Sequence, residues 1–201
     1  MKLSWKNLLN EFNLNEKLYN LNNIEICPKI ENVFKCFTYF NVLETKVVIC
    51  GQDPYHTENV ATGLAFECNG KAQPSLRNVF KEVKRTYPNS ECNIEEWAKQ
   101  GVLLLNRALT VEINKPNSHT KYWKSTTNDM ISKLNKYWKE NDKQIVFMLW
   151  GRNSQELEEF IDTDFHIILK HTHPSPLSRK PFVGNNHFLI CNEHLNDKIV
   201  W

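Results

Sequence analysis

Four short apolar runs punctuate the chain, each too brief for a helix and each followed by polar or glycine-bearing residues. They are Val47-Val48-Ile49-Cys50 before Gly51, Val102-Leu103-Leu104-Leu105, Ile145-Val146-Phe147-Met148-Leu149 before Gly151, and residues 165–169. Their length and β-branched content predict buried strands. Between them, apolar positions recur at helical spacing. Ser4 is a good N-cap for a first helix that places Trp5, Leu8, Leu9 and Phe12 on one face. A second helical pattern starts near Pro28 and carries Ile30, Val33, Phe34 and Phe37. Leu76, Val79, Phe80 and Val83 mark a third. Further helices are predicted over 95–100, ended by Gly101, and over 122–139, 154–160 and 189–195.

Strands apolar on both faces and separated by helices predict a mostly parallel four-stranded sheet covered on both sides. With no linker and no shift in composition, the expectation is one α/β domain over 1–201, in which 1–27 form a helical lead-in. Such sheets place their sites beyond the carboxyl ends of the strands. Those ends carry Gln52, Asp53, Tyr55 and His56; Asn106 and Arg107; Arg152 and Asn153; and the stretch from His171 to Ser178. Polar, reactive groups converging at one sheet edge are the main functional signal.

Composition narrows the classes. The 201 residues are 41% hydrophobic and 24% charged, ordinary globular usage that argues against a disordered chain. Lys plus Arg number 25 against 23 for Asp plus Glu, which excludes a histone-like polycation but leaves room for a local phosphate-binding patch. None of the six cysteines forms a C-x-x-C pair, so neither a zinc ribbon nor a disulfide scaffold is expected. The N-terminus lacks the continuous apolar stretch of a signal peptide. No run approaches the ~18 apolar residues of a membrane span. A soluble protein of a reducing compartment is expected.

Taken singly, the candidate residues stay ambiguous. Asp53 precedes a proline and fits a turn as well as a catalyst. Asn106 fits a cap. His173 fits a structural imidazole or, with His171, half of a metal pair lacking further ligands at suitable spacing. Ser175 and Ser178, interleaved with Pro174 and Pro176, make a stiff loop suited to phosphate.

Together they are specific. Gly51-Gln52-Asp53-Pro54-Tyr55-His56, Gly63-Leu64-Ala65-Phe66, Leu103-Leu104-Leu105-Asn106 and His173-Pro174-Ser175-Pro176-Leu177-Ser178 resemble, in order and spacing, the motifs of family 1 uracil-DNA glycosylases. The resemblance spans about 28–188. It implies an enzyme that flips uracil out of DNA and hydrolyses its N-glycosidic bond, starting base excision repair. It assigns catalysis to Asp53, which stabilises the cationic sugar and positions water, and to His173, which donates to uracil O2. Uracil binding falls to Gln52, Tyr55, Phe66 and Asn106. In this reading Phe66 stacks on the ring, Tyr55 excludes the thymine methyl, and Asn106 reads O4 and N3–H. DNA binding falls to Ser75, Ser175 and Ser178 on phosphates and to Leu177 as the wedge. Arg152, where the family usually has serine, is read as a further phosphate contact, the alternatives being solvent or a pair with Glu156 four residues on.

The same resemblance implies no metal and no cofactor. The partners expected are single- and double-stranded DNA containing uracil, with the chain a monomer and no membrane involved. A protein inhibitor or replication partner is not readable from the sequence. The expected compartment is intracellular: the cytoplasm in a bacterium, the nucleus in a eukaryote or virus. Two competing readings are weighed against it. One is a DNA-binding accessory protein without turnover, disfavoured by intact Asp53, Asn106 and His173. The other is a glycosylase for thymine or hypoxanthine, disfavoured by Tyr55 and Asn106.

Overall fold

The computed structural model describes residues 3–201. Helices α1 (Trp5–Glu11) and α2 (Leu14–Tyr19) open the chain. Ser4 caps α1 as its hydroxyl accepts from the Asn7 amide at 3.2 Å. A two-residue strand β1 (Ile26–Cys27) follows, then β2 (Val47–Gly51), α3 (Pro74–Thr86), α4 (Ile94–Lys99), β3 (Val102–Asn106) and β4 (Val111–Glu112). The remainder is α5 (Thr120–Glu140), β5 (Val146–Trp150), α6 (Arg152–Gln155), β6 (Ile167–His171) and α7 (His187–Glu193).

The main sheet has the order β3-β2-β5-β6 and is parallel throughout. Every residue of β2, β3 and β5 is buried, as expected for strands covered on both faces. On one side Trp97 of α4 packs against Phe80 of α3 and Phe188 of α7. On the other, Trp138 of α5 meets Phe147 of β5, and its indole N–H donates to the Val42 carbonyl at 2.9 Å.

Strand order fixes where a ligand can enter. From β2 the chain crosses to β3 on one side, and from β5 it crosses to β6 on the other. The connections diverge between β2 and β5, and a crevice opens beyond their carboxyl ends.

Three expectations change. The helical pattern from Ile30 to Phe37 becomes two 3₁₀ turns, Ile30–Asn32 and Lys35–Phe37, since apolar spacing of three suits that tighter helix equally well. The helix predicted over 154–160 starts at Arg152 and continues as a 3₁₀ turn over Glu156–Phe160. The fourth strand, expected over 165–169, lies two residues later; unlike the other three it is only half-buried, so hydrophobicity marks its ends poorly.

Strands β1 and β4 pair antiparallel, Ile26 with Glu112 and Cys27 with Val111. This small sheet supports the loop after β2. Cys27, Ala61 and Val111 form a small buried cluster on which Tyr55 packs, and the Asn114 amide donates to the His56 carbonyl at 2.8 Å.

Candidate active site

A cavity of about 160 Å³ occupies the edge of the crevice, and Gln52, Asp53, Tyr55, Phe66, Ser75, Asn106 and His173 all line it. These residues come from the loops after β2, β3 and β6, from the 63–66 segment and from the start of α3.

The register brings Asn106 beside Gly51 across β3 and β2. A Cβ at Gly51 would stand 2.2 Å from Asn106 Oδ1 and 3.2 Å from the Ala65 Cβ. Glycine is therefore needed for close approach. The Asn106 carboxamide is 7% exposed and makes no hydrogen bond within the described residues. A buried amide left with all its donors and acceptors in a cavity is a ligand-reading group.

Asp53 is half-buried and held on both oxygens. Oδ2 accepts from the Asn117 amide at 2.8 Å, and Oδ1 from the Gln52 side chain at 3.4 Å. Burial raises its pKa above the ordinary carboxylate value, opposed by those two donors and by His56. The Gln52 side chain is committed to this network rather than to the cavity: its Nε2 also donates to Asn117 Oδ1, and its Oε1 accepts from Asn153 Nδ2 at 2.6 Å.

His173 follows β6. Its Nδ1 accepts from the Ser175 main-chain amide at 3.0 Å, so the proton of the neutral ring sits on Nε2. Burial lowers its pKa and keeps it neutral. Gly151, at φ +87°, passes so close that a Cβ there would lie 3.0 Å from the His173 Cβ.

Phe66 adopts a left-handed φ of +67°, a conformation a non-glycine residue reaches at a cost of about 1–3 kcal/mol. Its ring lies 5.4 Å from that of Trp150 and 5.9 Å from that of His173. The Tyr55 hydroxyl donates to the Phe66 carbonyl at 3.2 Å, and burial raises the phenol pKa. Tyr55 thus clamps the strained residue.

The loop beyond His173 is hydrogen-bonded to itself and to α3. Ser178 Oγ donates to the His173 carbonyl at 2.6 Å, and Ser175 Oγ accepts from the Leu177 amide at 3.2 Å, which leaves the Ser175 proton free. The Asn78 side-chain amide donates to the Pro174 carbonyl at 2.8 Å. At the loop tip Leu177 is 92% exposed. Ser75, half-buried near the N-terminus of α3, spends its hydroxyl on no protein group among the described residues.

Arg152 is exposed at the start of α6 and makes no hydrogen bond or ion pair among the described residues. Glu156, four residues on, is taken by Lys124 at 2.7 Å. His171 does not join His173: its ring packs on Phe182 and His187. Among the described residues no group of three or more His, Cys, Asp or Glu is placed to hold a metal. Sequence reasoning missed Asn117, at φ +64° in an exposed turn; the Pro116-Asn117 pair was its only local sign.

Known proteins resemble this chain in sequence and fold. The chain is 45% identical over 181 residues to the uracil-DNA glycosylase of Francisella tularensis subsp. novicida, covering 86% of this chain and 80% of that one. The crystal structure of mimivirus uracil-DNA glycosylase superposes with a TM-score of 0.84 at 24% identity over 98% of this chain and 87% of that chain, which speaks for the fold. A mimivirus UNG variant in complex with UGI gives 0.80 at 26% identity, over 96% and 82%. The model of the uracil DNA glycosylase superfamily matches residues 37–196, from the 3₁₀ turns before β2 to beyond α7, and the chain belongs to that superfamily.

Proposed function

We propose that this protein is a uracil-DNA glycosylase of the family 1 type, excising uracil from DNA by hydrolysis at the start of base excision repair. The carrying observation is the one cavity that collects Asp53, Asn106, Phe66, Tyr55 and His173 from separate strand ends.

Cleavage leaves a positive sugar and a negative uracil, and the site has a group for each. The Asp53 carboxylate faces the sugar, stabilises its charge and orients the attacking water. His173, neutral with its proton on Nε2, donates to uracil O2 as charge develops there. The free Asn106 amide donates to O4 and accepts from N3–H, a pattern cytosine does not offer. Phe66 stacks on the ring. Tyr55 fills the space a thymine methyl would need. Gln52 serves the base with its main chain while its side chain braces Asp53.

Phosphates flanking the flipped nucleotide meet Ser75, Ser175 and Arg152, with Ser178 exchanging its carbonyl partner for a phosphate oxygen. Leu177 enters the vacated stack. Single- and double-stranded DNA are both substrates, since the cavity reads an extruded base. We propose that the protein acts as a monomer.

The test is release of free uracil from a single-stranded uracil oligonucleotide. Asp53→Asn and His173→Leu should each slow single-turnover cleavage by roughly 10²-fold or more while leaving DNA binding intact. Rates within threefold of the unsubstituted protein for both variants would remove the assignment.

A further inference from the structure

Behind the cavity, the divergence point of the sheet holds a buried arginine. Arg107 is 2% exposed, and no carboxylate lies within ion-pair distance among the described residues. A buried guanidinium is costly unless its donors are used. Here Nη1 donates to the Asn153 main-chain carbonyl at 2.6 Å and Nη2 to Asn128 Oδ1 at 2.5 Å, while Nε has no partner among the described residues. Its own main-chain amide donates to the Gly51 carbonyl at 2.9 Å, and its carbonyl accepts from Thr127 Oγ1 at 2.9 Å. Arg107 therefore ties the ends of β2 and β3 to α5 and to the start of α6.

The clamped residue, Asn153, reaches back toward the site. The sense of its contact follows from Asp53. A carboxylate only accepts, so the Gln52 amide must turn its Nε2 toward Asp53 Oδ1. Its Oε1 then points the other way and needs a donor, which Asn153 Nδ2 supplies at 2.6 Å. Asn117 completes the chain, accepting from Gln52 at its side chain and donating to Asp53 from its main chain.

We propose that Asn153, clamped by Arg107, is a positioning residue that sets the direction of the Gln52 amide and through it the orientation of the Asp53 carboxylate. The proposal rests on the catalytic role given to Asp53 above. Asn153 touches neither base nor sugar. It acts by making the wrong rotamer of Gln52, oxygen against carboxylate, unavailable.

Asn153→Asp keeps the shape and removes the donor, so Gln52 turns its amine toward the new carboxylate and its oxygen toward Asp53. With a single-stranded uracil oligonucleotide, kcat should fall about tenfold, the scale of one hydrogen bond to a charged group, while KM stays within twofold. Asn153→Ala leaves Gln52 unpartnered and should cost less. The decisive measurement is a double-mutant cycle with Gln52→Ala: without that amide, neither Asn153 substitution has anything to act on, and kcat should fall no further. A residue that merely stabilises the fold would give losses that add. The proposal is overturned if kcat of Asn153→Asp and Asn153→Ala stays within twofold of the unsubstituted protein, or if either loss persists in full on Gln52→Ala. An unsubstituted protein that releases no uracil would overturn the functional assignment instead.

Discussion

The Ser175 main-chain amide points at Nδ1 of His173 from 3.0 Å, and that single bond decides which nitrogen of the ring can donate to a ligand. Nε2 carries the proton for as long as the ring is neutral, and burial keeps it neutral below the usual imidazole range.

The acid limb of activity therefore belongs to Asp53, whose pKa burial raises above the ordinary carboxylate value. Single-turnover rates should show no loss at the ordinary imidazole value of about 6.5 and should fall as Asp53 takes up a proton, above the usual carboxylate range. An inflection near pH 6.5 that vanishes in His173→Gln would contradict the neutral assignment.

Gly51→Ala places a methyl carbon 2.2 Å from Asn106 Oδ1. Asn106 must leave its position or the strand must shift, at about 1–3 kcal/mol of overpacking. Inhibition by free uracil should weaken at least tenfold and cleavage should drop with it, while circular dichroism retains the α/β signature.

The Tyr55 ring and hydroxyl separate cleanly. Tyr55→Ala should admit thymine, measured as free thymine released from a matched oligonucleotide. Tyr55→Phe keeps the ring and loses the hydroxyl's bonds to the Phe66 carbonyl, at 3.2 Å, and to the Leu76 main chain, so it should stay selective for uracil with a modest drop in rate. Thymine release by neither variant would remove Tyr55 from base selection.

Among the described residues Arg152 forms no ion pair, and Glu156 is held by Lys124. Arg152→Ser should weaken duplex binding and make the plot of log K against log[salt] shallower by about 0.9, one phosphate contact. An unchanged slope would show that the guanidinium does not meet the backbone.

His187 predicts a dependence of stability on pH. Its Nδ1 accepts from the Trp150 indole at 3.0 Å, and burial, then the nearby His171, push its pKa down to about 4. In the unfolded chain it titrates near 6.5, so the unfolded state binds more protons between those values. The stabilisation is complete above about pH 6.5 and is lost as pH falls through 4, on the order of 3 kcal/mol. Urea midpoints at pH 7.5 and 4.5 should differ less in His187→Gln than in the unsubstituted protein.

The sheet and the cavity-lining loops were legible because parallel strands buried on both faces leave solid apolar runs, and the residues that follow them are forced to one edge. β6 was displaced because its residues are only half-buried and carry a weaker form of that signal. The turns from Ile30 to Phe37 fooled a period-based reading, since Ile30 is largely exposed and Phe34, at φ −105° and ψ 14°, breaks the helix. Strands β1 and β4, two residues each, are too short to leave any pattern. The roles of Asn117 and of Asn153, which stood among the strand-end residues without a role, were hidden for another reason. Their work depends on which atom of an amide faces a neighbour brought close only by the crossing of the chain.

The bond from Asn78 to the Pro174 carbonyl makes the start of α3 and the Leu177 loop one mechanical piece. On the roles proposed for them, the hydroxyl of Ser75 and the exposed Leu177 then stand at a spacing set before any strand arrives. In such a caliper the jaws do not close. On the DNA-binding roles proposed above, a nucleic acid lying across both adapts its backbone to that spacing rather than the protein to the strand.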